Sequence, residues 1–133
     1  MSNSPLAVVQ EAYAAFGRGD IPALLALLAG NVSWEVAGQP GAYPTFGRRH
    51  GLDGALAFFQ AVDATESFEA FTPKKFHAAD GVVTVEGDCA IVLRTNGRRL
   101  AYDWVHIWTV TDGSVSGFRE FYDTALVVEA YAA

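Results

Sequence analysis

The chain has 133 residues, of which 51% are hydrophobic and 18% are charged, so it is long enough to bury one core and too short to bury two. Its net charge of −6, without any basic tract, predicts neither a nucleic-acid partner nor a membrane partner. The one cysteine, Cys89, cannot form an internal disulfide, and the N-terminal segment lacks the basic residues of a secretory leader. We therefore expect a single domain over residues 1–133 and a cytoplasmic location.

The first part of the chain has the periodicity of helices. Ser4 and Pro5 are typical of a helix start, and apolar residues then recur at helical spacing. Asp20 is placed to cap a second, short helix over "IPALLALLAG", which we expect to end at Gly30. A third helix is predicted at about residues 52–62. Three helices therefore precede most of the strands.

Strand patterns dominate the rest of the chain. "NVSWEVAG" at 31–38 alternates apolar and polar residues, and a loop rich in Gly and Pro follows at 38–51. From Ser67 onward, the turn sequences "ADG", "TNG" and "TDG" separate four long strands. Asp123 can cap a short apolar helix at the end. Helices followed by an antiparallel meander predict an α+β fold with the helices on one face of the sheet.

The "TDG" turn predicts the register of the last two strands. A three-residue loop places Val110 opposite Ser114 and Trp104 opposite Glu120. The side chains of paired residues point to the same face of the sheet. If the turn had two residues instead of three, the residues of one strand would exchange faces relative to those of the other. One face is then largely aromatic with polar tips, as in a small-molecule pocket. Its members are Tyr102, Trp104, His106, Trp108, Phe118, Glu120 and Tyr122. The alternative is a plain aromatic core with Glu120 at its rim.

The opposite face of these strands is also partly apolar, because it carries Val105, Ile107 and Phe121. A sheet with two apolar faces needs a second cover, and the simplest is another copy of the chain. We therefore expect a homodimer through this outer face. Arg119 is predicted to form an ion pair across the dimer or with Asp103.

Three segments resemble the nuclear-transport-factor-2-like superfamily, specifically its SnoaL-like and ketosteroid-isomerase-like members. They are "VVQEAYAAFGRGDIPALLALLAGNVSWEV", "YPTFGRRHGLDGALAFF" and "VHIWTVTDGSVSGFREFYDTA". The resemblance implies a cone-shaped fold, in which three N-terminal helices pack on a strongly curved, mostly antiparallel sheet and enclose an apolar pocket. The superfamily holds isomerases, cyclases, dehydratases, epoxide hydrolases and non-catalytic binders, so the resemblance alone does not imply one activity.

The resemblance to ketosteroid isomerases does not extend to their catalytic residues. Those enzymes carry an aspartate base on the first strand and an oxyanion-hole tyrosine on the first helix. The matching positions here are Val36 and Ala12, and Tyr13 lies one residue after the second. We therefore do not expect the isomerase mechanism of that family.

Limonene-epoxide-hydrolase-like members give a closer match at one position. Their Arg/Asp and Tyr/Asn pairs are replaced here by Gly87/Cys89 and Trp34/Val36. Their last strand, however, is similar to "REFYD", which places Glu120 at the position of the catalytic acid. The resemblance thus implies an acid in the pocket without the hydrolase activity.

Glu120 and His106 are the predicted catalytic residues. A carboxyl opposite Trp104 would be desolvated by aromatic rings and could exchange protons with a substrate. His106 lies diagonally across the strand pair, within reach of the carboxyl. The alternatives are a structural glutamate bonded to a tyrosine or a loop amide, and a satisfied core histidine.

The other aromatic residues are predicted to bind the substrate. A tyrosine hydroxyl would polarise a substrate oxygen, although aromatic packing with the hydroxyl at the rim is the alternative. The tryptophans and phenylalanines would form the apolar wall. The predicted substrate-binding residues are Trp34, Tyr102, Trp104, Phe118, Tyr122, Tyr13 and Phe68, with Phe71 beside Phe68.

No metal or cofactor is expected. His50 and His77 are predicted to lie in solvent, and the three histidines lack the spacing of metal ligands. The chain has no Gly-rich phosphate-binding loop. Cys89 is expected near the pocket as a small buried hydrophobe.

These observations favour an enzyme that moves protons on a small apolar or aromatic oxygenated molecule without a cofactor, as an isomerase, cyclase or dehydratase does. A non-catalytic protein that binds a small ligand in the same cavity is the first alternative. A dimeric interaction module with a filled core is the second.

Overall fold

The computed structural model describes residues 4–133, so the first three residues of the predicted domain lie outside it. The α+β class is confirmed. The elements in chain order are α1 (Pro5–Gly17), α2 (Ile21–Leu25), β1 (Leu28–Val36), β2 (Gly47–His50), α3 (Gly51–Thr65), β3 (Glu66–Ala79), β4 (Val82–Leu93), β5 (Arg99–Thr111), β6 (Ser114–Tyr122) and α4 (Thr124–Ala132).

Side chains cap three of the helices as the sequence predicts. Ser4 accepts a hydrogen bond from the amide of Ala7 before α1, and Asp20 accepts one from Ala23 before α2. Asp123 caps α4 by accepting from Leu126. Each carboxylate or hydroxyl satisfies an amide that has no partner within its helix. These caps fix where the helices begin.

The predicted extent of the second helix is wrong. The helix ends at Leu25, and the apolar run that follows belongs to β1, where Leu28 pairs with Val115 of β6. A short apolar run fits a buried strand as well as a buried helix, so periodicity did not separate the two. The predicted loop at 38–51 also contains β2, which pairs with β1.

The six strands form one sheet in the order β2-β1-β6-β5-β4-β3. Strands β3 to β6 are the predicted antiparallel meander, and only β1 and β6 are parallel among the described pairs. Register shifts interrupt β3 between Phe68 and Ala70 and again between Pro73 and Lys75. Such bulges bend a strand and increase its twist. The sheet is accordingly curved and unclosed.

The predicted three-residue "TDG" turn is wrong. Thr111 pairs with Ser114, and Asp112 and Gly113 form a two-residue turn with φ values of 51° and 80°. This left-handed pair is typical of a type I′ hairpin, which Asp-Gly favours. The turn alone would invert one strand, but Ser116 is an extra residue in β6 that restores the alternation. The predicted faces are therefore confirmed.

The bulge changes which residues stand opposite each other. His106 lies opposite Glu120, Trp108 opposite Phe118 and Trp104 opposite Tyr122. Glu120 is thus directly across from His106 rather than diagonal to it.

The core lies between the inner face of the sheet and helices α1 and α3. Alternate residues of β4 and β5 are buried there, including Val85, Ile91 and Trp104. Within residues 4–133, no helix has both the length and the apolar character that a membrane crossing requires.

Candidate functional site

A cavity lies inside the curve of the sheet, beneath α1 and α3. Its volume is about 60 Å³, counted as the space that the centres of water molecules can occupy, several times the roughly 10–15 Å³ that one water molecule needs. The residues that line it are Ala12, Tyr13, Phe16, Leu24, Trp34, Thr45, Phe58, Phe59, Val62, Glu66, Phe68, Phe71, Cys89, Tyr102, His106, Trp108, Phe118, Glu120 and Tyr122. Most of this wall is apolar or aromatic.

His106 joins the two catalytic candidates to helix α1. The His106 Nε2 atom lies 3.0 Å from Glu120 Oε2, and Nδ1 lies 2.7 Å from the Tyr13 hydroxyl. The imidazole is 5% exposed, so these contacts replace its hydration. The predicted pair of Glu120 and His106 is therefore in contact in the folded chain.

The hydrogen-bond network assigns the tautomer of His106. The Trp108 indole can only donate, and its Nε1 gives a 2.8 Å hydrogen bond to the Tyr13 hydroxyl. When His106 is neutral, the Tyr13 hydroxyl donates its own proton to His106 Nδ1, which accepts it. The other nitrogen, Nε2, carries a proton and donates it to the Glu120 carboxylate. Tyr13 and Trp108 thus orient His106 towards Glu120.

Tyr13 stays a neutral phenol at physiological pH. Burial raises its pKa well above the ordinary value of 10, the Trp108 hydrogen bond opposes that rise, and the charge of Glu120 adds to it. The sequence places Tyr13 next to a family oxyanion position, and α1 turns its ring towards the sheet. It stacks on His106 with a centroid distance of 5.9 Å.

Two stacked tyrosines stand beside Glu120. The rings of Tyr102 and Tyr122 lie 4.5 Å apart and nearly parallel, and both line the cavity. Burial raises the pKa of each phenol above its ordinary value; the next largest cause is Glu66 for Tyr102 and Glu120 for Tyr122. Both phenols line the cavity, and a hydrogen bond from either of them to an oxygen of a bound molecule stays a prediction.

Glu66 is a cavity residue that the sequence reasoning missed. It is 6% exposed and accepts a 2.5 Å hydrogen bond from the buried hydroxyl of Tyr43. Burial raises its pKa to about 7, a rise that the Tyr43 hydrogen bond opposes and the charge of Glu120 reinforces. The alternation of side chains along a strand could have identified it. Glu66 lies two positions before the predicted wall residue Phe68 on one strand, so both side chains point to the same face.

Trp104 does not line the cavity, which differs from its predicted role in substrate contact. Its indole lies behind the wall, where it stacks on His106 at 3.9 Å and on Phe71 at 4.9 Å. A Cβ atom on Gly87 would come within 2.3 Å of this indole, so only glycine leaves it room. Trp104 therefore supports the ring of His106 from the second layer.

The other predicted wall residues line the cavity. Trp34 stacks on Phe118 at a centroid distance of 4.0 Å, and Phe68 and Phe71 both face inward because a bulge separates them. Cys89 is buried at the wall, and burial raises its pKa to about 12, so its thiol is protonated. The indole Nε1 of Trp34 has no hydrogen-bond partner among residues 4–133.

The remaining polar candidates lie outside the cavity. His77 is exposed and contacts Glu86 at 2.7 Å, and His50 is exposed where it precedes α3. Arg119 pairs with Glu35 of β1 at 3.1 Å, so its predicted intrachain partner, Asp103, is wrong. The parallel pairing of β1 with β6 brings Glu35 beside Arg119. This neighbour was not visible from the local sequence.

An open groove adjoins the cavity on the side of α2 and α3. Its volume, counted in the same way, is about 480 Å³. Phe16, Phe59, Val62, Glu66 and Phe68 line both spaces. These five residues form the boundary between the cavity and the groove, which we call the neck.

The curved six-stranded sheet with helices over an inner cavity is the fold of the nuclear-transport-factor-2-like superfamily. Residues 9–118 match the family model of the SnoaL-like domain, and the chain belongs to this family.

Similar structures and sequences extend over the whole chain or part of it. An NTF2-like protein of unknown function from Burkholderia pseudomallei K96243 is 30% identical, with 100% of both chains covered and a TM-score of 0.90. TerC, co-crystallized with polyporic acid, is 25% identical, with 98% of this chain and 100% of that chain covered and a TM-score of 0.86. Wound-induced protein 1 from Solanum tuberosum is 33% identical over 61 residues, or 46% of this chain; the match spans 57% of the length of that curated relative.

Proposed function

We propose that the protein is a cofactor-free enzyme that transfers protons on a small apolar or aromatic oxygenated molecule, as an isomerase, cyclase or dehydratase does. The observation that carries the proposal is the chain of hydrogen bonds from Trp108 through Tyr13 and His106 to Glu120, at the wall of an apolar cavity. Co-crystallization of TerC with polyporic acid supports a small organic ligand.

In this proposal Glu120 is the group that takes the proton. Its Oε2 atom is held by His106 Nε2, and its side chain is 15% exposed and lines the cavity. A substrate C–H or O–H bond placed against the carboxylate gives up its proton, and the same carboxyl returns it at another position. Tyr102 or Tyr122 donates a hydrogen bond to the substrate oxygen, where negative charge develops.

Hydrogen exchange tests the proposal without knowledge of the natural substrate. The protein is incubated in D₂O with small phenols and cyclic enones such as 2-cyclohexenone, and loss of carbon-bound protons is followed by NMR. We expect exchange with the wild type and a decrease of about a hundredfold or more in Glu120→Gln, because a positioned acid or base contributes that much. Glu129→Gln, an exposed carboxyl on α4, is the matched control and should leave the rate unchanged.

The alternative function is non-catalytic binding of a small ligand, which the largely apolar and aromatic wall of the cavity can hold without any proton transfer. Binding without any exchange, with Glu120→Gln changing affinity alone, would establish this alternative. Mass spectrometry of molecules that co-purify with the protein identifies the ligand in both cases. If the cavity takes up no small molecule, the remaining alternative is a dimeric interaction module with a filled core.

We also propose that the protein is a homodimer through the outer face of the sheet and that it works in the cytoplasm as one domain. Val105, Ile107 and Phe121 are only half-buried on that face, and the helices lie on the other side. Burying such a strip against a second copy removes apolar surface from water. The single cysteine suits a reducing compartment.

A further inference from the structure

A second carboxyl lies at the wall of the same cavity, at the neck, and the proton transfer proposed above does not use it. Glu66 lines both the cavity and the groove, although only 6% of its surface is exposed. Tyr43, itself 1% exposed, donates a 2.5 Å hydrogen bond to Glu66 Oε2. A carboxyl in such a site is held in one orientation by its phenol partner.

The sheet registers place the two carboxyls at different levels of the cavity. Glu66 stands at the first position of β3, opposite Leu93, while Glu120 stands opposite His106. The stacked phenols of Tyr102 and Tyr122 lie between these levels. A molecule in the cavity therefore meets one carboxyl at the His106 level and the other at the neck.

We propose that Glu66, oriented by Tyr43, is a second acid/base residue, which exchanges a proton with the end of the substrate that lies at the neck. This inference rests on the proposed function. The substrate then carries an oxygen-containing group at the end that lies at the neck and an acidic C–H bond near Glu120.

A conjugated enone places its two reacting ends far enough apart to reach both levels. Glu66 gives its proton to the carbonyl oxygen, and the carboxylate of Glu120 takes a proton from the γ carbon at the far end of the conjugated system. The electron pair of the broken C–H bond forms a new C=C bond, the existing C=C bond shifts to the carbonyl carbon, and the electron pair of the C=O double bond moves to the new O–H bond. The carboxylate of Glu66 and the carboxyl of Glu120 then exchange protons with the product or with water from the groove, which restores both.

Several groups face Glu66 from the elements around it, and they set its proton affinity. Burial and the charge of Glu120 favour the protonated carboxyl, and the Tyr43 hydrogen bond favours the carboxylate. On the groove side, Arg94 is paired with Asp63. The titratable groups that face or couple to Glu66 are Tyr43, Asp63, Cys89, Arg94, Tyr102, Glu120 and Tyr122.

The test is a carbon-13 NMR titration of the glutamate carboxyls in the full chain. The Glu66 signal is assigned by its loss in Glu66→Gln, or by its shift in Glu66→Asp if the first variant does not fold. We expect a midpoint near 7. Tyr43→Phe should raise the midpoint by about one pH unit, because it removes the donor that favours the carboxylate. Glu69, exposed on the same strand, is the control, and its signal should not respond to Tyr43→Phe.

Addition of 2-cyclohexenone as a probe then separates this inference from the proposed function. We expect the signals of both Glu66 and Glu120 to shift. A shift of Glu120 alone, a Glu66 midpoint below about 5 or no response to Tyr43→Phe would overturn the inference and leave the proposed function standing. A probe that shifts neither carboxyl counts against both.

Discussion

Tyr13 orients the His106 ring so that Nε2 faces Glu120. Its hydroxyl accepts one hydrogen bond and donates another, and the donor-only indole of Trp108 determines which is which. The Nε2–H of His106 is thereby left for Glu120. Three side chains on two elements, Trp108, Tyr13 and His106, thus fix the orientation of one carboxyl group.

Glu66 makes the stability of the fold depend on pH. Its pKa is about 7 in the folded chain against an ordinary value of 4.5, so the folded state holds this proton more tightly than the unfolded state does. The resulting stabilisation is fully present below pH 4.5 and is lost as the pH rises through 7. A raised carboxyl pKa therefore favours folding at acidic pH.

We predict that the Glu66 contribution to the free energy of unfolding falls by up to roughly 3 kcal/mol between pH 4.5 and pH 8. Urea unfolding at several pH values in this window measures it, by comparison of the wild type with Glu66→Gln. The variant should lack this part of the pH dependence, whereas Glu69→Gln should retain it. Parallel curves for the wild type and Glu66→Gln would contradict the assignment.

At the scale of elements, strands β4 and β5 hold the His106 ring in place through the packing of Trp104 on Gly87. Gly87 stands opposite Trp104, and a Cβ there would lie 2.3 Å from the indole and 2.6 Å from the carbonyl oxygen of Thr72. The indole can therefore lie flat against β4 and stack on His106. The strand pair thus positions the imidazole from behind.

We predict that Gly87→Ala destabilises the fold by roughly 1–3 kcal/mol, because the added methyl group overpacks a site that cannot relax without moving Trp104. Urea unfolding measures the loss, and the near-ultraviolet circular dichroism of the tryptophans reports the displaced ring. Gly30→Ala, at an exposed position of β1 with no atom within 4 Å of its added Cβ, is the matched control and should change stability little. Equal effects of the two substitutions would exclude the packing explanation.

The local sequence predicts the elements whose signals are local. Caps, alternation and turn residues indicated α1 and the meander. The inward side of Glu120 was predicted from a three-residue turn that is wrong, and it holds because the Ser116 bulge offsets the two-residue turn. The local sequence could not predict the parallel pairing of β1 with β6, because Leu28 and Val115 are far apart in the chain. The Ser116 bulge could not be predicted either, because a turn fixes the register of two strands only as far as the first irregularity. Glu66 was missed because β3 was taken to begin one residue too late.

For the whole molecule, the helices lie on the inner face of the sheet, and the outer face keeps a half-buried apolar strip. Arg119 forms an ion pair with Glu35 and lies over the Phe121 ring at 4.8 Å, so its guanidinium covers one end of the strip. A twofold dimer places the same strip on both sides of one interface. The single domain over residues 1–133 stays a prediction at this scale.

We predict that Val105→Asp converts the dimer to a monomer. The substitution places a carboxylate beside Glu86 on β4 in the face that the dimer buries, and burial of these like charges in the interface costs several kcal/mol. The dissociation constant should therefore rise by about a hundredfold or more. Light scattering after gel filtration should give twice the chain mass of 14.2 kDa for the wild type and 14.2 kDa for the variant. Leu52→Asp, an equally apolar but exposed position on α3, should remain a dimer. A wild-type protein of 14.2 kDa at all concentrations, or a dimer that tolerates Val105→Asp, would place the interface elsewhere or exclude it.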